Sequence, residues 1–117
     1  MLEGKAGELG RVIGQSAEYQ AVKRTSEALN NDREAVALLR QMEQIRIDAQ
    51  TMIEHGNNPT PEMEQELDAL LAQVQVNPVY QRAIAAQENF DKLMLRVNTW
   101  ISEGNRKGAT SSIITLG

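Results

Sequence analysis

The stretch Pro78-Val79-Tyr80-Gln81-Arg82-Ala83-Ile84-Ala85-Ala86-Gln87-Glu88-Asn89-Phe90-Asp91-Lys92-Leu93-Met94-Leu95-Arg96-Val97-Asn98-Thr99-Trp100 places apolar residues at Val79, Ala83, Ala86, Phe90, Leu93, Val97 and Trp100. These positions follow the three-and-four spacing that lines one face of an α-helix and lets it lock against another helix. A half-buried strand would alternate at every second residue instead. The same helical period runs through Ala35, Leu38, Met42, Ile45, Ala49 and Met52. The two seams predict an all-α protein: an elongated antiparallel helical hairpin or bundle of about five helices that self-associates.

Outward from these seams, the helix starts are marked by side chains able to accept a free first-turn amide. Ser16 precedes Ala17-Glu18-Tyr19, Asp32 precedes Arg33, and Thr60-Pro61 and Asn77-Pro78 add a proline at the first helical position, where its missing N–H costs nothing. Ser16, Asp32, Thr60 and Asn77 are therefore the expected helix caps. Helices are predicted at about residues 2–14, 17–29, 33–55, 61–75 and 78–103. The turn cluster His55-Gly56-Asn57-Asn58-Pro59 folds the third and fourth back on each other as a hairpin. Residues 1–103 are expected to form a single helical domain, and 104–117 a flexible C-terminal tail.

Composition agrees with helix seams rather than a thick core. Apolar residues make up 41% of the chain but aromatic ones only 3%, so packing must rely on Leu, Ile, Val, Met and Ala. Net charge is −4, and it is unevenly placed: residues 32–76 carry three basic and nine acidic groups, whereas 77–117 carry five basic and three acidic. The overall acidity disfavours general nucleic-acid binding, which rests on Lys and Arg neutralising phosphate. The chain contains no cysteine, so it forms no disulfide, thiolate zinc site or self-ligated iron–sulfur cluster. No stretch approaches the roughly 20 apolar residues of a membrane span, and the expected location is the cytoplasm.

Catalytic motifs fail on inspection. Gly14-Gln15-Ser16-Ala17-Glu18 starts like a nucleophile elbow but ends in glutamate, with no strand before it. Gly4-Lys5 lacks the upstream glycine and the following hydroxyl of a phosphate loop. The lone histidine, His55, follows Met52 at the spacing where a helical di-metal site needs glutamate; at a helix end it reads as a cation favoured by the helix dipole. Glu62 with Glu66, and Glu64 with Asp68, lie one turn apart and read as a solvated acidic face. Gly7, Gly10 and Gly14 share a helical face that admits either close approach of a partner backbone or a frayed end. Neither a catalytic residue nor a cofactor or metal site is expected.

Ser16-x-Glu18-Tyr19-Gln20, then Asn31-Asp32-Arg33-Glu34-Ala35 with Leu38-Leu39, then Asn77-Pro78-Val79, resemble the YlbF/YmcA family of small helical bacterial proteins over about residues 2–103. The resemblance implies an all-helical protein that self-associates and acts without catalysis. Similar proteins form a complex affecting competence, sporulation and biofilm formation, linked to messenger RNA processing by ribonuclease Y. Iron–sulfur clusters held by cysteines in some relatives do not carry over to a chain without cysteine.

The expected function is a homo-oligomeric, non-enzymatic regulatory adaptor, with Leu38, Met42, Ile45, Phe90, Leu93, Val97 and Trp100 as its packed seam. Its expected partners are a second copy or another helical protein, with nucleic acid disfavoured and no membrane. The alternative is an RNA-associated accessory protein of a ribonuclease or RNA-processing complex, with Arg82, Lys92, Arg96, Arg106 and Lys107 meeting phosphate.

Overall fold

The computed structural model describes residues 1–116, with side chains through Thr110. It contains α1 (Leu2–Gly14), α2 (Ala17–Asn30), α3 (Arg33–Glu54), α4 (Pro61–Gln75) and α5 (Pro78–Leu116), and no strand among the described residues. These helices make two antiparallel pairs. The α3–α4 hairpin turns through residues 55–60, where Gly56 adopts φ 80°, a left-handed conformation that glycine enters without steric cost. The second pair, α2 with the first half of α5, joins helices far apart in sequence.

Each pair is stitched along the three-and-four period. Leu38 and Met42 from α3 meet Leu70 and Val74 from α4, with Leu39, Ile45, Leu67, Leu71 and Tyr80 packed around them. In the second pair Ala86 and Val97 of α5 are buried, and Ala21, Val22, Thr25 and Leu29 form the half-buried face of α2. The Tyr19 and Phe90 rings pack with centroids 5.6 Å apart, tilted by 58°. Arg96 reaches Glu18 at 3.7 Å at the far end of the pair.

The helix end expected at Glu103 is corrected: α5 continues to Leu116, and Gly117 lies outside the described residues. The segment after Glu103 has no proline, and Gly104 and Gly108 cost at most about 1 kcal/mol each in a helix. Thr110 Oγ1 donates to the Arg106 carbonyl at 2.9 Å, so the hydroxyl bonds inside the helix instead of leaving it.

The result is long and thin. The principal extents are 67 × 37 × 20 Å and the radius of gyration is 21.4 Å, against about 13 Å for a compact chain of this length. A thickness of 20 Å is two helix diameters, so no third layer covers either pair. Leu70→Ala is expected to cost about 2–5 kcal/mol in urea unfolding, whereas Leu95→Ala, at a position 68% exposed, should stay within about 0.5 kcal/mol. Equal losses at the two sites would mean that the hydrophobic centre has been misplaced.

Candidate functional site

Chain direction is set by capped junctions. The Tyr19 amide donates to Ser16 Oγ at 3.1 Å, the Ala35 amide to Asp32 Oδ2 at 3.1 Å, and the Met63 amide to Thr60 Oγ1 at 3.2 Å. Asn77 Oδ1 accepts from the Val79 and Tyr80 amides at 2.9 and 3.1 Å. Asn77 has a second role that its capping pattern does not announce. Its Nδ2 donates to Asp32 Oδ2 at 2.9 Å, across 45 residues of sequence, and Asn77 is the one buried polar residue among the described residues, 8% exposed.

Two junctions share one construction. In α1–α2 the Gln20 side chain donates to the Gly14 carbonyl at 2.8 Å; in α4–α5 Gln81 donates to the Gln75 carbonyl, also at 2.8 Å. Both run cap, two residues, Tyr, Gln: Ser16 to Tyr19-Gln20 and Asn77 to Tyr80-Gln81. The glutamine satisfies one of the carbonyls that the preceding helix leaves without an internal partner. The repeated Tyr-Gln after each cap was the available signal for this glutamine bond.

The seven expected seam residues do not form one seam. Leu38 and Met42 are buried and Ile45 half-buried in the α3–α4 pair, while Val97 is buried and Phe90 and Leu93 half-buried on α5. Trp100 is 57% exposed within the chain. The period places it on the same face as Val97, but α2 begins at Ala17, so no residue of α2 lies far enough along α5 to cover it. On α4, Met63, Leu67, Leu70 and Val74 repeat the three-and-four spacing and hold two of the buried positions.

The other candidates are surface groups. Glu62, Glu64, Glu66 and Asp68 are exposed along α4, and among the described residues no three acidic or histidine side chains gather where they could hold a metal ion. His55 Nδ1 lies 2.8 Å from the Thr51 carbonyl at the end of α3. Arg82, Lys92, Arg96, Arg106 and Lys107 are exposed, and at about 100° per residue they fall within roughly a third of the circumference of α5. A shallow groove lies between Gln75, Tyr80, Gln81, Ile84, Ala85 and Glu88. No helix among the described residues is long and apolar enough to cross a membrane.

What remains is open apolar helix. α1 buries none of its residues, and Leu2, Leu9 and Val12 are 83%, 39% and 58% exposed. No atom comes within 4 Å of a Cβ placed at Gly4, Gly7, Gly10 or Gly14, so the glycine face meets nothing in its own chain. Trp100 and Ile101 extend the open surface along α5.

The family profile described as control of competence regulator ComK, YlbF/YmcA, matches residues 2–104. The chain belongs to the YlbF/YmcA family. Among proteins similar to this YlbF/YmcA chain, a UPF0342 protein of Leuconostoc mesenteroides is 26% identical over 98 residues, 84% of each chain. A UPF0342 protein of Streptococcus mutans is 30% identical over 83 residues, covering 71% of this chain and 74% of that one. The fold is similar to that in the crystal structure of Bacillus subtilis RicA in complex with RicF, with a TM-score of 0.74 at 17% identity over 86% of this chain and 90% of that one.

Asn77→Ala removes both a cap and the bond to Asp32, and is expected to cost about 1–3 kcal/mol. In a double-mutant cycle with Asp32→Ala the two losses should be clearly less than additive, because each substitution removes the shared bond. Additive losses in urea titrations would mean that the two caps act separately.

Proposed function

We propose that this YlbF/YmcA protein is a non-enzymatic regulatory adaptor that assembles with copies of itself in the bacterial cytoplasm and acts by presenting helical faces to a protein partner. The observation that carries this reading is surface. The chain exposes 8970 Å², where a compact monomer of 13.0 kDa exposes about 6,300 Å². The difference, roughly 2,600 Å² per chain, exceeds the ~800 Å² that each partner contributes to a standard interface. The match to a family described by control of a regulator supports the regulatory half of the reading, as does the likeness in fold to a protein crystallised in a complex.

A second reading rests on the five cations aligned on α5, of which only Arg96 forms an ion pair among the described residues. Their placement would suit a phosphate backbone in an RNA-associated accessory protein. Such binding weakens steeply with salt, by counterion release.

Light scattering across a concentration series is expected to give a mass of at least twice 13.0 kDa, little changed by moderate salt. A monomer at every concentration would overturn self-association. Salt-sensitive retention of a single-stranded RNA by the wild type, lost on replacing Arg82, Lys92 and Lys107 with Gln, would favour the RNA reading over the adaptor.

A further inference from the structure

The two helix pairs meet at a narrow crossing. Among the described residues, extended packing between them is confined to consecutive helices, α2 with α3 and α4 with α5. Each passage is short, Asn31-Asp32 in one case and Val76-Asn77 in the other, and the two lie side by side, 2.9 Å apart at the Asn77–Asp32 bond. Of the apolar groups packed around the hairpin core, Tyr80 alone comes from α5, close to the crossing by its position just after Asn77. Two short connections placed together resist twisting but leave bending about the line that joins them, and residues at helix ends are where such bends are absorbed.

The backbone supplies a soft coordinate for that bend. Three connections begin alike, with Gln15 at φ −88°, ψ −6°, Asn31 at φ −94°, ψ −6° and Val76 at φ −91°, ψ −3°. The caps that follow differ. Ser16 and Thr60 have ψ 151° and 154°, whereas Asp32 has ψ 105°. All three values lie in the broad extended basin, about +100 to +180°, so a cap moves along it at little cost and carries its helix with it. The α1–α2 junction shows what such a connection does without a latch. It has the cap and the glutamine bond, yet α1 buries none of its residues.

We infer that the crossing is a hinge latched by the Asp32–Asn77 bond. Asp32 caps α3 and Asn77 caps α5, so each cap travels with its own helix and bending breaks neither. The glutamine bond from Gln81 to Gln75 recurs at the unlatched α1–α2 junction, so it belongs to the turn and does not select an angle. What the crossing adds is the donation from Asn77 Nδ2 to Asp32 Oδ2. With that bond made, the α3–α4 hairpin stands at one angle to the α2–α5 pair; with it broken, the hairpin swings as a body. The groove between Gln75 of α4 and Tyr80, Gln81, Ile84, Ala85 and Glu88 of α5 widens or narrows with the angle. A partner that touches both pairs therefore meets its two contacts at a spacing the latch fixes.

Because the chain has no cysteine, introduced pairs can carry spin labels at exposed positions. Glu43→Cys with Glu66→Cys reports inside the hairpin, Lys23→Cys with Lys92→Cys inside the second pair, and Glu43→Cys with Lys92→Cys across the crossing. Excess unlabelled chain keeps each measured distance within one molecule. The wild type is expected to give three narrow distributions by pulsed electron spin resonance. Asn77→Asp keeps an oxygen to cap α5 but puts a carboxylate where the donor amide was. Asp32→Ser keeps the cap of α3 and withdraws the acceptor of the latch. Each is expected to broaden the distribution across the crossing and move its mean by on the order of 10 Å, the sweep of a turn of about 45° over about ten helical residues. Both within-pair distributions should stay narrow. An unchanged distribution across the crossing in both variants would overturn the latch, because something else would then hold the angle; so would a broad one in the wild type. Loss of the within-pair distances in both variants would overturn it too, since the bond would then support the whole fold instead of one angle.

Discussion

The bond from Asn77 Nδ2 to Asp32 Oδ2 is, among the described residues, the one hydrogen bond between two side chains that ties the two helix pairs together. Asp32 ends the α2–α3 connection and Asn77 ends the α4–α5 connection, so a single hydrogen bond pins the crossing of four helices. One carboxylate oxygen accepts from its own helix and from the other junction. Asn77 meets the demand from the other side, with its oxygen capping α5 and its amide donating to Asp32. Burial sharpens the dependence, because an amide that lost its carboxylate there would lack both protein and solvent partners.

From that pinned crossing the rest follows by geometry. The two pairs extend away from each other instead of stacking, which gives a molecule 67 Å long and 20 Å thick. Thin helical layers bury only the faces within each pair, so Val74 and Ala35 are fully covered while every outer stripe meets solvent. The hydrophobic centre at Leu38, Met42, Leu70 and Val74 sits in the closed hairpin. Exposed apolar residues occur in both pairs, at Ile47 and Ile53 of α3 as well as at Leu95, Trp100 and Ile101 of α5.

How much of this could be read from the residues depended on range. The caps at Ser16, Asp32, Thr60 and Asn77 are local devices, and their acceptor, spacing and following proline are visible in a few residues. Face assignment by period is also local, and it aligned Leu38 with Met42 and Phe90 with Val97. What covers a face is a long-range property. The period puts Trp100 on the same stripe as Val97, but only the position of Ala17 at the start of α2 shows that one is covered and the other is not. The second bond of Asn77 was hidden for the same reason, since its partner lies 45 residues away. The end of α5 failed through a balance of small terms: two glycines at about 1 kcal/mol each do not stop a helix whose other residues between Glu103 and Thr110 tolerate it.

Charge divides the surface between the two pairs. The acidic flank of α4, with Glu62, Glu64, Glu66 and Asp68 exposed along it, belongs to the α3–α4 hairpin, whereas α5 carries Arg82, Lys92, Arg96, Arg106 and Lys107 along roughly a third of its circumference. A partner approaching the hairpin meets a field of one sign, which steers encounter through charge; one approaching the cations of α5 meets the other.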